Sequence, residues 1–389
     1  MKRICVYDTA VNGEFHGYWV ESPLRHLKLS GLGRRTWRNL LANGRNGYMR
    51  DKALWFQRFV DEMYRDRDPA YMRLVDDFID RYGDYDVLVF GIQCFIHPEI
   101  LATRLSRPTK VLGFVDDPVS TYAHGIPCLW AFDGAYYISP AYSDAMGMDD
   151  FLARTGCSHR FWLPLTQPIQ SPQAVNDDFF LHRNVSVTYI GQRYTHKLDR
   201  LATMKRHFKS DFHIYGRWPL KGWWGPAKIA TGDFSFPYHV RALTNEERTN
   251  IYWRTKIGIN MHWSGRPMET GNMRMYEVPL HGAMLLCDKA ARDLHAQVFE
   301  PDREAVYYDD IKDAIDKAEY YLAHEEERAE IARRGFERAW RDYHWETVFS
   351  RFLDWCADLE SAEIRAHAQT TERQRNDHLI STGVAKNAN

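Results

Sequence analysis

The chain has 389 residues, 44% of them hydrophobic, and a formal net charge of −1 at pH 7. This length favours two domains with cores of their own, and the near-zero charge gives no global attraction to nucleic acid or to a membrane surface. No stretch approaches the roughly 20 apolar residues that a transmembrane helix needs, and the N-terminal stretch MKRICVYDTA is too polar for a signal peptide. Six cysteines are scattered without a Cys-x-x-Cys pair, which predicts a reduced, cytoplasmic protein.

The first half of the chain alternates apolar strands with helical patterns. Strands are predicted at RICVYD, DVLVFG, KVLGFVDDP and GAYYIS, which begin at Arg3, Asp86, Lys110 and Gly134. Helices are predicted over residues 55–64, 70–82, 98–105 and 142–154. Such alternation is typical of parallel βαβ units. We therefore expect an N-terminal Rossmann-like domain over residues 1–168, followed by a polar linker that contains proline over residues 169–184.

The same pattern restarts in the second half. Strands are predicted at VSVTYIG, DFHIYG, KIGINMH and AMLLCD, which begin at Val185, Asp211, Lys256 and Ala283. Helices are predicted over residues 196–208, 244–255, 273–280, 310–323 and 325–341, and the second begins with a capping box of Thr244 and Glu247. We expect a second Rossmann-like domain over residues 185–344, a helix over 345–365 that crosses back, and a disordered tail from residue 366. The predicted architecture is two doubly wound α/β domains that face each other across a cleft.

Polar side chains concentrate after the predicted strand KIGINMH. They are Glu269, Gly271, Asn272 and Arg274 in a loop, and Glu277 on the short helix that follows. Helix N-termini bind anions, glycine permits close approach of the backbone, and the arginine fork matches phosphate oxygens. A carboxylate accepts two hydrogen bonds from a vicinal diol such as that of ribose. Together these features predict a site for a nucleotide or a nucleotide sugar. The alternative is that both glutamates are solvated and Arg274 is an ion-pair partner.

Seven residues separate Glu269 from Glu277, and Gly282 then precedes an apolar strand that ends at Asp288. This arrangement resembles the Glu-x7-Glu element of GT-B glycosyltransferases. The segments NMRMYE and YYLAHEEERAEIARRG are similar to the CgeB-like branch of that family. The resemblance covers residues 185–352 by motif and the first half of the chain by architecture only.

The resemblance implies a distribution of roles between the two domains. The C-terminal domain of a GT-B enzyme holds a nucleotide-sugar donor, here a UDP-, GDP- or dTDP-sugar that serves as co-substrate, with no cofactor bound permanently. By this resemblance Glu277 binds the ribose hydroxyls, Glu269 contacts the donor sugar, and the backbone from Gly271 to Arg274 binds the diphosphate. The N-terminal domain binds the acceptor, and the Glu-x7-Glu element favours retention of configuration.

Two further loops follow strands of the second half. Gly191, Arg193 and Lys197 come after the first strand, where the two cations would neutralise a departing diphosphate. Gly216 and Arg217 end the next strand and are candidates for base or phosphate contacts. The alternative for these residues is an ordinary polar start of a helix.

Catalytic candidates in the first half lie after predicted strands. His16 is the candidate general base because its ordinary pKa suits proton removal near neutrality. Asp116 and Asp117 follow another strand, where either would act as a base or orient the acceptor. The alternatives are a structural histidine and a turn before Pro118.

The segment from Arg25 to Lys52 is basic and contains interleaved aromatic residues. It would bind an anionic acceptor, such as a phosphorylated glycan, a lipid headgroup or nucleic acid. Two other functions remain open: a nucleotide-sugar epimerase or phosphorylase, and a non-catalytic nucleic-acid-binding module. No metal site is predicted, and the oligomeric state is unknown.

Overall fold

The computed structural model describes residues 1–7, 9–25, 52–91, 94–114, 126–143, 146–169, 171–172, 175–191, 195–216, 242–262 and 272–359. The chain divides into two compact units. The first consists of the described residues of Met1–Ile138, Asp149–Leu163 and Ser350–Asn389, and the second of those of Ser139–Met148 and Pro164–Phe349.

Strands and helices alternate along most of the described chain. The strands are β1 (Arg3–Val6), β2 (Gly13–Phe15), β3 (Tyr18–Glu21), β4 (Val87–Phe90), β5 (Thr109–Phe114), β6 (Gly134–Tyr137), β7 (Ala141–Ser143), β8 (Met146–Gly147), β9 (Arg160–Trp162), β10 (Val185–Ile190), β11 (Phe212–Tyr215), β12 (Thr255–Asn260), β13 (Met284–Asp288) and β14 (Val306–Tyr308). The helices are α1 (Lys52–Arg65), α2 (Pro69–Tyr82), α3 (Pro98–Arg104), α4 (Met148–Arg154), α5 (Asp177–Leu181), α6 (Thr195–Phe208), α7 (Asn245–Arg254), α8 (Met273–Leu280), α9 (Ile311–Ala323), α10 (Glu325–Asp342) and α11 (Trp345–Asp358). None of these helices is long and apolar enough to cross a membrane.

The first unit is built on a sheet with the strand order β2-β3-β1-β4-β5-β6-β9. All neighbouring pairs are parallel except β2 and β3, which form an antiparallel hairpin. Helix α2 shows how the sequence specifies this unit. The Asp68 side chain accepts hydrogen bonds from two backbone N–H groups at the start of α2, and the face that carries Tyr71, Leu74 and Phe78 is buried. The part of helix α11 from Ser350 onwards also belongs to this unit, where Phe352 contacts the ring of Tyr136.

The second unit contains a parallel sheet with the order β11-β10-β12-β13-β14. Its inner strands β10, β12 and β13 are mostly buried on both faces, as runs of apolar residues in a parallel sheet require. Val187, Ile257, Met284 and Leu286 in its core are fully buried. Together the two units confirm the predicted α/β fold with two Rossmann-like domains.

Among the predicted segments, two have a different structure. Residues 142–154 were expected to form one helix, but β7 and β8 pair as a short antiparallel hairpin and α4 begins only at Met148. Gly147 disfavours an earlier start, and the acidic residues of the first turn, Asp149 and Asp150, favour this one.

The expected linker over residues 169–184 is part of the second unit. Within it, α5 begins at the cap Asn176, and the rings of Phe179 and Phe180 pack against Phe336 of α10. The expected disordered tail lies outside the described residues.

Candidate functional site

The carboxyl edge of the second sheet is the natural ligand site of this topology. The strand order reverses between β10 and β12, and open α/β sheets bind ligands beside the carboxyl ends of strands at such a point. Gly191 follows β10 and Gly216 follows β11. Gly216 has a φ of +122°, and a Cβ there would lie 2.2 Å from the carbonyl oxygen of Gly191. Both predicted glycines are therefore at this edge, where only glycine lets the two backbones approach so closely.

Helix α8 carries a buried carboxylate beside this edge. The helix spans the predicted residues Met273–Leu280, and Glu277 keeps only 3% of its surface exposed. Its Oε1 accepts a hydrogen bond of 2.8 Å from Nε2 of Gln167 and lies 3.2 Å from Nη1 of Arg248. Oε2 accepts no hydrogen bond from any residue that the structure describes. The alternative that Glu277 is a solvated surface residue is thereby excluded.

The environment of Glu277 opposes its charge. Burial raises the pKa of Glu277 to about 7, although Arg248, Arg274 and Gln167 act in the opposite direction. The carboxyl group is thus balanced between its two protonation states near neutral pH. A structural carboxylate gains nothing from this balance, whereas functional sites commonly have perturbed pKa values.

Buried hydrogen bonds fix α8 against α7. His281, just after α8, donates from Nδ1 to the carbonyl oxygen of Glu277 at 2.7 Å, and its Nε2 lies 3.1 Å from the hydroxyl of Thr249 on α7. Burial lowers the pKa of His281 to about 4, so the ring is neutral and can accept from that hydroxyl. Arg183 donates to the carbonyl oxygens of His281 and Tyr252. These hydrogen bonds fix the position of α7 relative to α8, and so the distance between Arg248 and Glu277.

Arg274 faces the strand ends. Its Nη1 donates to Oδ1 of Asn260 at 2.8 Å and approaches the carbonyl oxygen of Met261 at 3.3 Å. The guanidinium also lies over the ring of Tyr189, 4.7 Å from its centroid. Part of its hydrogen-bonding capacity therefore anchors α8 to β10 and β12, and its contact with phosphate stays a prediction.

Asn272 stands at the N-cap of α8 but does not cap it, since its side chain makes no capping hydrogen bond. Its Oδ1 and Nδ2 are buried, and neither has a partner among the described residues. Buried polar atoms are nearly always hydrogen-bonded in native proteins. An amide that the described residues leave unbonded, beside the first N–H groups of a helix, is therefore suited to hold a polar ligand.

A further set of charged groups lies at the ends of β12 and β13. The buried ammonium of Lys197, on the first turn of α6, donates to the carbonyl oxygen of Met261 at 2.6 Å. Nδ1 of His262 lies 2.6 Å from Oδ1 of Asp288. Burial opposes the charge of Asp288, but His262 and the charge of Lys197 hold the pKa of this carboxyl below its ordinary value. The second ring nitrogen of His262, Nε2, is buried without a partner in the described part of the chain.

The ligand atoms of His262, Cys287 and Asp288 lie within 4.8 Å of one another, as a metal site requires. Their chemistry fits a metal poorly. Burial and the charge of Asp288 raise the pKa of the Cys287 thiol well above its ordinary range, whereas a metal ligand must be a thiolate. Arg200 lies 4.0 Å from Asp288 and would repel a cation. These residues are better explained as a hydrogen-bonded cluster.

The other predicted site residues fall in two groups. Asp116, Asp117, Arg193, Arg217, Glu269 and Gly271 lie outside the described residues, as does most of the Arg25–Lys52 segment. His16 is described, and its expected position was wrong. It has a φ of 46° in the hairpin turn between β2 and β3, and β3 runs parallel to β1. His16 therefore lies at the amino edge of the first sheet, so the argument for a general base at a carboxyl end no longer applies.

Sequence reasoning missed several residues of the site. They are Gln167, Arg248, Asn260 and His262, together with the pairing of His262 with Asp288. The motif pointed to Glu277, but Gln167 is 110 residues away in the chain and falls at the end of the predicted N-terminal domain. The end of the strand KIGINMH was a usable signal, because polar residues that end a buried parallel strand lie at its ligand-binding edge.

Comparisons with known proteins agree with this geometry. Residues 194–354 match a family model described as Glycosyl transferase-like. No curated protein matches the chain.

Solved structures are similar at low sequence identity. HepE from Anabaena in complex with UDP and glucose has a TM-score of 0.53 and 13% identity, over 74% of this chain and 82% of that one. Sucrose-phosphate synthase from Thermosynechococcus elongatus has a TM-score of 0.50 and 11% identity, over 74% and 76%. A TarM mutant from S. aureus in complex with Fondaparinux, alpha-GlcNAc-glycerol and UDP has a TM-score of 0.50 and 15% identity, over 73% of this chain but only 58% of that one.

The protein thus has the GT-B fold of glycosyltransferases. The stretch that matches the family model covers most of the second unit, including α6, α7 and α8. The carboxyl edge with Glu277 therefore lies within the stretch that matches this family model.

Proposed function

We propose that this protein is a glycosyltransferase that transfers a sugar from a nucleoside diphosphate sugar to an acceptor. The observation that carries the proposal is the carboxyl group of Glu277. It is buried beside the carboxyl edge of the sheet, and its Oε2 accepts no hydrogen bond from the described residues. A buried carboxylate needs donors, and the vicinal hydroxyls of a ribose supply two.

The neighbouring groups suit the rest of such a donor. The N-terminus of α8, with the amide of Asn272, would bind the diphosphate. Lys197 lies at the same strand edge, on the first turn of α6. Its ammonium would stabilise the charge that develops on the diphosphate as the sugar leaves, which is the electrostatic contribution that glycosyl transfer requires. The contributions of Arg193, Arg217, Glu269 and Gly271 stay predictions from the sequence.

The finer features of the function are also part of this proposal. The reaction would be hexosyl transfer of the EC 2.4 type, without a required metal, in a member of the CgeB-like branch. UDP is the first nucleotide to test, because the HepE and TarM structures contain it, with GDP and dTDP as alternatives. An acceptor bound through Arg25–Lys52 and a cytoplasmic location both stay predictions.

Thermal shift with a panel of UDP, GDP, dTDP and ADP tests the proposal. Saturation to 100 times the dissociation constant adds about 2.7 kcal/mol to the free energy of unfolding, a shift that is readily measured. We expect wild-type protein to respond to one nucleotide and Glu277→Ala to lose that response. Glu326→Ala, which removes an exposed glutamate of α10, is the matched control.

The two possible results have distinct meanings. A shift that Glu277→Ala abolishes and Glu326→Ala retains supports donor binding at α8, and release of the nucleoside diphosphate from the corresponding nucleotide sugar would then identify the reaction. Absence of any shift and of any nucleotide-sugar turnover would contradict the proposal.

A further inference from the structure

The orientation of the Glu277 carboxyl group is determined from outside its own helix. Gln167 reaches it from the segment before α5, and Arg248 reaches it from α7. Both contacts converge on Oε1, at 2.8 Å and 3.2 Å. The described residues make no hydrogen bond to the other oxygen, Oε2. These two side chains therefore decide which face of the carboxyl group a nucleotide would meet.

Arg248 is immobilised in this position. Its Nη2 donates to Oδ1 of Asn245 at 2.8 Å, and its Nη1 lies 3.8 Å from the sulfur of Met273. Its side chain is only 20% exposed. The adjacent Thr249 is tied to His281 beyond the end of α8. The guanidinium is thus a fixed cation beside a buried carboxyl group.

The ligand chemistry requires that carboxyl group to be ionised. A carboxylate accepts on both oxygens, whereas the protonated acid has one O–H donor and a weaker acceptor. Burial favours the protonated acid, and an opposite charge within about 4–6 Å favours the carboxylate. Without a fixed cation, the site would present a neutral acid to the ribose hydroxyls and bind them poorly.

We propose that Arg248 and Gln167 are positioning residues for donor binding: Arg248 keeps Glu277 ionised, and Gln167 turns its Oε2 towards the ribose diol. This inference rests on the proposed function, because it assigns partners to the ribose-binding carboxylate. Neither residue needs to touch the nucleotide for this effect.

Other titratable groups that face Glu277 do not replace Arg248. Tyr252 on α7 stays a neutral phenol, because burial and the charge of Glu277 raise its pKa well above the ordinary value. His281 is neutral, since burial lowers its pKa to about 4. Arg274, on the same helix as Glu277, directs its guanidinium to Asn260 and Met261. Arg248 is the cation that contacts the carboxyl group directly among the described residues.

The test measures nucleotide affinity against pH by calorimetry, with UDP, GDP and ADP each paired with its 2′-deoxy analogue. Wild-type affinity for the ribonucleotide should rise with pH, with a midpoint near the pKa of Glu277, about 7. In Arg248→Met this midpoint should move up by about one pH unit or more, and affinity at neutral pH should fall about tenfold or more. Arg248→Lys should restore most of the wild-type midpoint and most of the affinity at neutral pH.

Discrimination between ribose and deoxyribose separates positioning from a general loss of structure. Wild-type protein should prefer the ribonucleotide, and this preference should disappear in Glu277→Gln at every pH. Arg248→Met should lose it at neutral pH and regain it at about pH 8.5, where the carboxyl group ionises again. Gln167→Leu should weaken the preference at every pH, because it misorients the carboxyl group. Arg254→Met, which removes an α7 arginine bonded to Asn184, is the matched control and should resemble wild type.

The outcomes distinguish the two proposals. If wild-type protein binds none of the nucleotides, the proposed function fails and this inference fails with it. If wild type binds and Glu277→Gln does not discriminate, but Arg248→Met, Arg248→Lys and Gln167→Leu keep the wild-type pH midpoint and ribose preference, only the positioning roles are overturned.

Discussion

Each unit has a buried charge at a different edge of its sheet. In the first unit, Lys110 and Asp133 lie at the amino ends of β5 and β6, 3.7 Å apart. The ammonium of Lys110 also donates to the carbonyl oxygens of Leu105 and Pro108. In the second unit, the buried carboxyl group of Glu277 lies beside the carboxyl edge of the sheet. One of its oxygens accepts no hydrogen bond from the described residues.

The difference separates a structural charge from a functional one. A buried ion pair whose donors and acceptors are satisfied internally contributes to the fold and has no capacity left for a ligand. A buried carboxyl group with an unused oxygen weakens the folded state until a donor arrives. Neutralising Lys110 should therefore lower the free energy of unfolding, whereas neutralising Glu277 should raise it.

Lys110→Met should have the largest effect and should destabilise the protein. It removes the ammonium that pairs with the buried carboxylate of Asp133, and breaking a buried ion pair typically costs about 3–5 kcal/mol. Chemical denaturation monitored by circular dichroism should show this loss, whereas Lys312→Met, at an 82% exposed lysine, should change little. The nucleotide affinity of the folded Lys110→Met protein should be unchanged. A loss of affinity would contradict the purely structural role of Lys110.

Glu277→Gln should act in the opposite direction at alkaline pH. The pKa of Glu277 is raised to about 7 in the folded state, so the folded protein binds a proton more tightly than the unfolded chain does. Its contribution to stability is complete below the unfolded pKa and is lost as pH rises through about 7.

Glutamine mimics the neutral acid, so we expect Glu277→Gln to be more stable than wild type by about 3 kcal/mol at pH 8 and nearly equal at pH 4, below the unfolded pKa. His281 contributes the reverse trend, because its depressed pKa removes stability as pH falls below about 6.5. Both proteins contain His281, so its contribution cancels when their free energies of unfolding are subtracted. Equal stability of wild type and Glu277→Gln at both pH values would show that the pKa of Glu277 is not raised in the folded protein.

Thr244→Ala should have the smallest effect. It removes one half of the capping box at the start of α7, the helix that carries Arg248, at a cost of about 1 kcal/mol. Thr244→Ser should retain the cap and its stability. A loss well above this figure would mean that α7 depends on its cap more than on its buried contacts with α8.

Local features of the fold could be predicted from the sequence. The capping box of Thr244 and Glu247 is confirmed, and α8 has the predicted bounds. These features depend on residues a few positions apart, for which periodicity and capping chemistry are reliable guides. Strand β14, with three residues, is too short to show a period and was missed.

Features that depend on distant pairing could not be predicted. The loop that carries His16 follows a strand in the sequence, but the reversal through β2 carries it to the amino edge of the sheet. The expected linker over residues 169–184 contains proline and polar residues, yet the rings of Phe179 and Phe180 in it pack against Phe336 of α10 in the second unit. Only the tertiary arrangement decides whether such a segment is covered.

The sequence by itself determined the class of fold and the helix that carries Glu277, because these follow from short-range patterns and a local motif. The tertiary structure decided the state of that carboxyl group. Gln167 and Arg248 come from segments 110 and 29 positions away in the chain, and burial by still other segments raises its pKa. Desolvation and ion pairing depend on which surfaces meet in space, and no single segment of the chain carries that information.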